Sequence, residues 1–173
     1  MKKQRFSPEQ IAAEEGEHGI RCDTVAIGWT VAELAMLPKV EGFVHVTGAA
    51  LPLLLERGGG AIVYTSSGVV FAGEPVRVAY AASKAGVNAL MRHVASAWGK
   101  QGIRSHAISP GLVTSPAVMA LPQDFRDACL AANRTVRFGE ADDIAAMVAM
   151  LMSADGAWIQ GQVITVDGGQ IIR

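Results

Sequence analysis

Apolar positions along this chain change period several times, and each change marks an element. Between Ala61 and Ser67 the run Ala-Ile-Val-Tyr-Thr-Ser-Ser follows the triple glycine Gly58-Gly59-Gly60 and ends in hydroxyl residues before Gly68. A continuous β-branched, apolar run of this kind predicts a buried strand whose carboxyl end delivers a serine. Gly102 to Gly111 repeats the design and closes in the turn Pro110-Gly111, and Val163-Ile164-Thr165-Val166 supplies a further strand near the end. Helical spacing dominates elsewhere. Val87, Leu90, Met91, Val94, Ala95 and Trp98 recur three or four apart and predict a helix from Val78 to Gly99. Val40 to Arg57 is apolar on most sides, which predicts a helix wanting burial on two sides, broken at Pro52 and stopped at Gly58. A last helix is expected from Glu140 to Met152. Strands alternating with helices predict an α/β fold with a parallel sheet.

The first forty residues carry weaker patterns. Ser7-Pro8-Glu9-Gln10 offers a serine cap, a proline in the first turn and a glutamine three residues on, predicting a short helix to Glu17. Ile20 to Ile27 reads as a strand, and Thr30 to Leu37 as helical up to Pro38. Residues 1–39 therefore form an atypical N-terminal segment, and 40–173 one further region of a single domain.

Candidate chemistry centres on Tyr80-Ala-Ala-Ser-Lys84. Residues four apart on a helix share a face, so a phenol and an ammonium are held side by side. A positive charge beside it favours the phenolate and equips a tyrosine to exchange a proton with an alcohol oxygen near neutral pH. Taken alone, the spacing is weak evidence, since Tyr and Lys four apart on a helix usually form only a surface contact. Ser67 precedes Tyr80 by thirteen residues at a strand end, where open α/β sheets bind ligands, and Pro110-Gly111 lies at the end of the next strand.

Together these residues resemble the short-chain dehydrogenase/reductase family from about Val40 to Arg173. The landmarks run in family order: Ser66-Ser67, Tyr80-x-x-x-Lys84, Pro110-Gly111-Leu112-Val113, Arg137-Phe138-Gly139-Glu140 with Asp142-Asp143-Ile144-Ala145, and Gly161-Gln162 with Val166-Asp167-Gly168-Gly169. The resemblance implies a Rossmann-like doubly wound parallel sheet, truncated in its N-terminal half. It implies an oxidoreductase that interconverts an alcohol and a ketone or aldehyde with NAD or NADP. Ser67 would hydrogen-bond the substrate oxygen, Tyr80 would act as general acid/base, and Lys84 would lower the Tyr80 pKa and hold the nicotinamide ribose. Pro110, Gly111 and the backbone at Val113 would meet the nicotinamide, with Ser115 standing where the family carries threonine. Ser115 to Phe138 would correspond to the substrate lid, with Met119, Leu121, Phe125 and Leu130 as lining, and the two long helices to a dimer interface. A homodimer or homotetramer is thus expected.

Three departures accompany the resemblance. The glycine-rich turn Thr-Gly-x-x-x-Gly-x-Gly, which seats a pyrophosphate on a helix N-terminus, has no match before Gly58. Lys39 falls where the family often has an active-site asparagine, and His106 replaces a common asparagine. A second reading is therefore a truncated pseudoenzyme that no longer binds dinucleotide.

Composition narrows the classes. Half the residues are hydrophobic and 18% are charged, which fits a soluble domain with a real core. A net charge of −1 without a basic cluster beyond the first five residues argues against nucleic acid as a partner. Cys22 and Cys129 are too few for a disulfide framework or zinc site and suggest a reducing compartment. No apolar stretch follows the initial basic residues as in a signal peptide, and the longest, around Ala145 to Met152, is far short of a membrane span. A cytoplasmic protein is expected. His45, His93 and His106 have no second ligand at metal spacing and are read as structural.

Overall fold

The computed structural model describes residues 37–73 and 77–172. The elements expected at 7–17, at 20–27 and before Leu37 lie outside the described residues.

Three parallel strands lie in sequential order: β1 (Gly60–Thr65), β2 (Ile103–Pro110) and β3 (Val163–Val166). β1 and β2 run in register from Gly60 opposite Ile103 to Thr65 opposite Ile108, and Val163 of β3 pairs with Ala107. All three carboxyl ends therefore meet at one edge. Crossover connections are what parallel strands require, and helices supply them: α1 (Leu37–Glu56) leads into β1, α3 (Val78–Trp98) joins β1 to β2, and α6 (Ala141–Met152) joins β2 to β3. Between them lie the short helices α2 (Val69–Ala72), α4 (Pro116–Met119) and α5 (Gln123–Ala132).

Alternation along the strands sends side chains to two faces, and each face has its own core. On one side Ile62, Tyr64, Ile103 and Ala107 pack with Phe43, Leu51 and Leu54 of α1 and Val87, Met91 and Val94 of α3. On the other, Val63 and Ile108 pack against Leu151 of α6, joined by half-buried Ile144, Met147 and Val148. Helices on both faces of a parallel sheet make the described part doubly wound, as the sequence implies. Met91 is fully buried and Trp98 packs on the same core, so both are structural.

Polar ties fix the layers. The hydroxyls of Thr47 and Tyr64 lie 2.9 Å apart and join α1 to β1, and Ser105 Oγ donates to the Met91 carbonyl at 2.9 Å. Arg104 donates to the carbonyls of Leu151 and Met152, two of the last groups a helix leaves without intrahelical partners. Gln160 accepts from Ser105 N–H and donates to the Ile103 carbonyl, each at 2.8 Å, completing the β2 ladder before β3 begins.

Pro52 does not break the first helix. α1 continues through it to Glu56, and Pro52 lies on the exposed side. Lys39 falls within the same helix. His45 and His93 face solvent, His93 lying edge-on to Trp98 with ring centroids 5.6 Å apart, whereas His106 is fully enclosed.

Candidate active site

Five residues from α3, Ser83, Val87, Asn88, Met91 and Val94, are buried, and their helical spacing defines the face turned to the sheet. Tyr80 and Lys84 lie at the N-terminal end of that helix, half-buried at the edge of this face. Lys84 Nζ donates to the Thr65 carbonyl at 2.8 Å, which pins the start of α3 to the last residue of β1. Its ammonium stands 5.8 Å from the Tyr80 ring centroid and 5.8 Å from that of Phe43. Arg77 places its guanidinium 5.3 Å from the Tyr80 centroid, so two cations flank one phenol ring. One turn of helix is enough to produce this arrangement, because positions three and four apart neighbour each other. The Ser83 hydroxyl donates to the Tyr80 carbonyl at 2.8 Å.

Two serines follow β1, and they are placed differently. Ser66 is buried and its N–H extends the ladder, donating to the Ile108 carbonyl at 2.7 Å. Ser67 is half-buried at the strand's carboxyl edge, and its carbonyl accepts from Val70 N–H as α2 begins. The sequence-expected serine is therefore the more accessible of the pair.

Pro110 ends β2 and Gly111 continues the ladder by donating to the Val166 carbonyl at 3.0 Å. Val113 bridges to Gly139 in parallel, and Thr114 N–H donates to the Gly139 carbonyl at 2.8 Å. Ser115 Oγ caps α4, accepting from Val118 N–H at 3.2 Å. Ser67, Lys84 and the loop 110–115 thus share the carboxyl edge of the sheet, where ligands of open α/β folds bind. Of the expected lid residues, Met119 and Phe125 are exposed while Leu121 and Leu130 are half-buried; α5 contains no fully buried residue.

Arg137 and Asp143 form a bidentate pair at 2.7 and 2.9 Å, and Asp143 also accepts from Glu140 N–H in a capping box at the start of α6. The Arg137 hydrogen bonds, followed by the Glu140 backbone bond, hold the Asp143 carboxyl far below the usual carboxylate range. On the face of β2 that α6 covers, burial first and the nearby Arg104 charge second lower the His106 pKa from 6.5 to about 4. Among the described residues neither ring nitrogen of His106 has a hydrogen-bond partner.

Sequence reasoning missed Arg77 and the Thr65 carbonyl. Arg77 had a signal, since it stands three residues before Tyr80. Thr65 had none, because a main-chain oxygen carries no side-chain identity. No helix of the described residues is long and apolar enough to cross a membrane, and no group of three metal-ligating side chains occurs among them.

A family model described as enoyl-(acyl carrier protein) reductase matches residues 31–170. The chain is 34% identical over 134 residues to a 3-oxoacyl-[acyl-carrier-protein] reductase of Thermotoga maritima, covering 78% of this chain and 54% of that one. A short-chain type dehydrogenase/reductase from Mycobacterium ulcerans superposes with a TM-score of 0.76 at 30% identity, over 82% of this chain and 54% of its own. A 7α-hydroxysteroid dehydrogenase complexed with NADH and 7-oxo-glycochenodeoxycholic acid superposes with a TM-score of 0.75 at 26% identity, over 84% and 60%. The chain spans about half the length of the curated relatives it matches. The shared sequence, the parallel sheet and the order of its landmarks place the chain in the short-chain dehydrogenase/reductase family.

Proposed function

We propose that this chain carries the catalytic part of an NAD(P)-dependent oxidoreductase that interconverts an alcohol and a ketone or aldehyde. The observation that carries the reading is the 2.8 Å bond from Lys84 to the Thr65 carbonyl, which holds Tyr80 and Lys84 at the strand end where Ser67 emerges. In the oxidising direction Tyr80 takes the proton of the substrate hydroxyl while the carbon gives up a hydride; in reduction it returns the proton. Ser67 donates a hydrogen bond to the substrate oxygen, and the Lys84 and Arg77 cations favour negative charge developing there. Bound nicotinamide supplies the hydride acceptor or donor.

The residues present fit the nicotinamide end of such a cofactor. The backbone of 111–113 lies at the sheet edge, and Lys84 brings a half-buried cation to the same edge. Ribose hydroxyls would meet Lys84, the carboxamide the backbone near Val113, and Ser115 the adjoining rim. Substrate would enter beside α4 and α5. The second reading, a family member without dinucleotide binding, draws on the sequence before Gly58, which has no glycine-rich turn for the pyrophosphate. NADH and NADPH fluorescence titrations of wild type and Lys84→Met discriminate them. Saturable binding weakened by the substitution supports the oxidoreductase, whereas no binding to wild type at millimolar cofactor supports the second reading.

A further inference from the structure

The turn Val166-Asp167-Gly168-Gly169 reaches both sides of the site. Asp167 is nearly fully buried, and its two carboxylate oxygens accept separate backbone donors, Gly169 N–H at 3.0 Å and Ile171 N–H at 2.9 Å. The carboxylate therefore dictates the turn that ends β3. On one side the turn abuts Gly111 so closely that a Cβ there would lie 2.7 Å from Asp167 Cα. On the other, the Gly168 carbonyl accepts from Arg134 N–H at 2.8 Å and Thr135 N–H at 3.1 Å. Gly168 has φ +65°, and a Cβ at that position would collide with Thr135 Oγ1.

The remaining contacts close a ring. Thr135 Oγ1 donates to the Arg137 carbonyl at 3.2 Å, and Arg137 grips Asp143, which holds Glu140 N–H. Next to Glu140, Gly139 N–H donates to the Leu112 carbonyl and the Gly139 carbonyl accepts from Thr114. From Gly111 the path returns to Asp167. The loop 111–115 and the segment 133–140 are thus one frame with the Asp167 turn as a corner. Residues 116–132, which contain only one buried side chain, Val118, stand on that frame.

We propose that Asp167 is a positioning residue: its carboxylate shapes the turn that holds the nicotinamide-side loop 111–115 and the base of the substrate-side segment, 133–135, in fixed relation. This rests on the reading of the site given above. It adds that cofactor and substrate affinity are set together by a residue expected to touch neither.

The test is residue-resolved amide hydrogen exchange on the 173-residue chain, wild type against Asp167→Asn and Asp167→Ala. Asparagine keeps the volume but presents its amide NH2, a donor, to one of the two N–H groups. Losing charge-assisted bonds of this kind corresponds to about tenfold or more in local opening. The proposal requires faster exchange at Gly111, Thr114, Arg134 and Thr135 as well as at Gly169 and Ile171, with the β1 amides unchanged. Gly111→Ala, which presses on the turn from the other side, should give the same pattern. Acceleration confined to Gly169 and Ile171 would overturn it, as would uniform acceleration through β1, the mark of global destabilisation. In ketone reduction with millimolar cofactor, Asp167→Asn should raise KM for both cofactor and ketone more than it lowers kcat. The exchange measurement needs neither ligand. A positive exchange result with no NADH or NADPH binding would therefore count against the functional reading and leave the frame standing.

Discussion

Lys84 Nζ lies 2.8 Å from the Thr65 carbonyl oxygen, and this one hydrogen bond joins the helix that carries Tyr80 to the strand that delivers Ser67. A charge-assisted bond to a main-chain oxygen fixes the lysine head without consuming a carboxylate. The bond holds the cation at the edge where a dinucleotide and a substrate oxygen would meet.

Cofactor affinity should be unequal along the dinucleotide. On the proposed function Lys84, the backbone around Val113 and Ser115 would serve the nicotinamide end, while no glycine-rich turn precedes Gly58. Each missing charge-assisted hydrogen bond to the pyrophosphate is worth about 1.5–3 kcal/mol. Two or three of them would weaken binding by about two to six powers of ten. Calorimetry on the 173-residue chain should give a Kd of about a millimolar for NADH and NADPH. Low-micromolar binding would mean that residues 1–39 build a phosphate site.

Stability should fall as pH drops from about 6.5 towards 4, and His106 is the group responsible. The sign follows from linkage. A histidine whose pKa is lowered on folding is protonated first in the unfolded chain, so acid favours unfolding across that window. The full shift corresponds to roughly 3 kcal/mol at about 1.4 per unit. Asp143 is ionised in both states above its ordinary carboxylate value and stays level over the same range. His106→Asn should flatten the dependence of urea midpoints on pH between 4 and 6.5. An unchanged slope would place the titrating group elsewhere.

Self-association should run through the two long helices. α1 exposes Gly48, Ala49 and Leu53, and α3 exposes Val78, Ala82, Ala85 and Ala89. Small residues let helix backbones approach closely, and a two-fold axis would pair the surfaces with themselves. Ala85→Arg should convert a dimer or tetramer into a smaller species in sedimentation velocity, with the far-ultraviolet spectrum unchanged. A wild-type monomer at micromolar concentration would refute the assignment.

Much of this was legible in the residues. The apolar run 61–65 and the helical spacing through Val87, Met91 and Val94 located β1 and α3 because burial on two faces leaves a period that side chains alone record. Tyr80 and Lys84 were visible as a pair because helix geometry fixes what lies four residues apart. Proline misled at position 52, where neighbouring packing carried α1 past a residue expected to end it. The Asp167 frame was not readable from spacing, since its joints are largely main-chain groups and glycine contacts between residues far apart in the chain.

The central claim is that the Tyr80 hydroxyl moves the proton, and one assay addresses it most directly. Reduction of a panel of ketones by wild type and Tyr80→Phe is followed at 340 nm with millimolar NADH or NADPH, beside thermal unfolding of both proteins. General acid/base groups contribute about 10²–10⁴-fold. The account predicts measurable turnover in wild type, a loss of that size in Tyr80→Phe, and nearly equal melting temperatures. Turnover in Tyr80→Phe within a fewfold of wild type would contradict it.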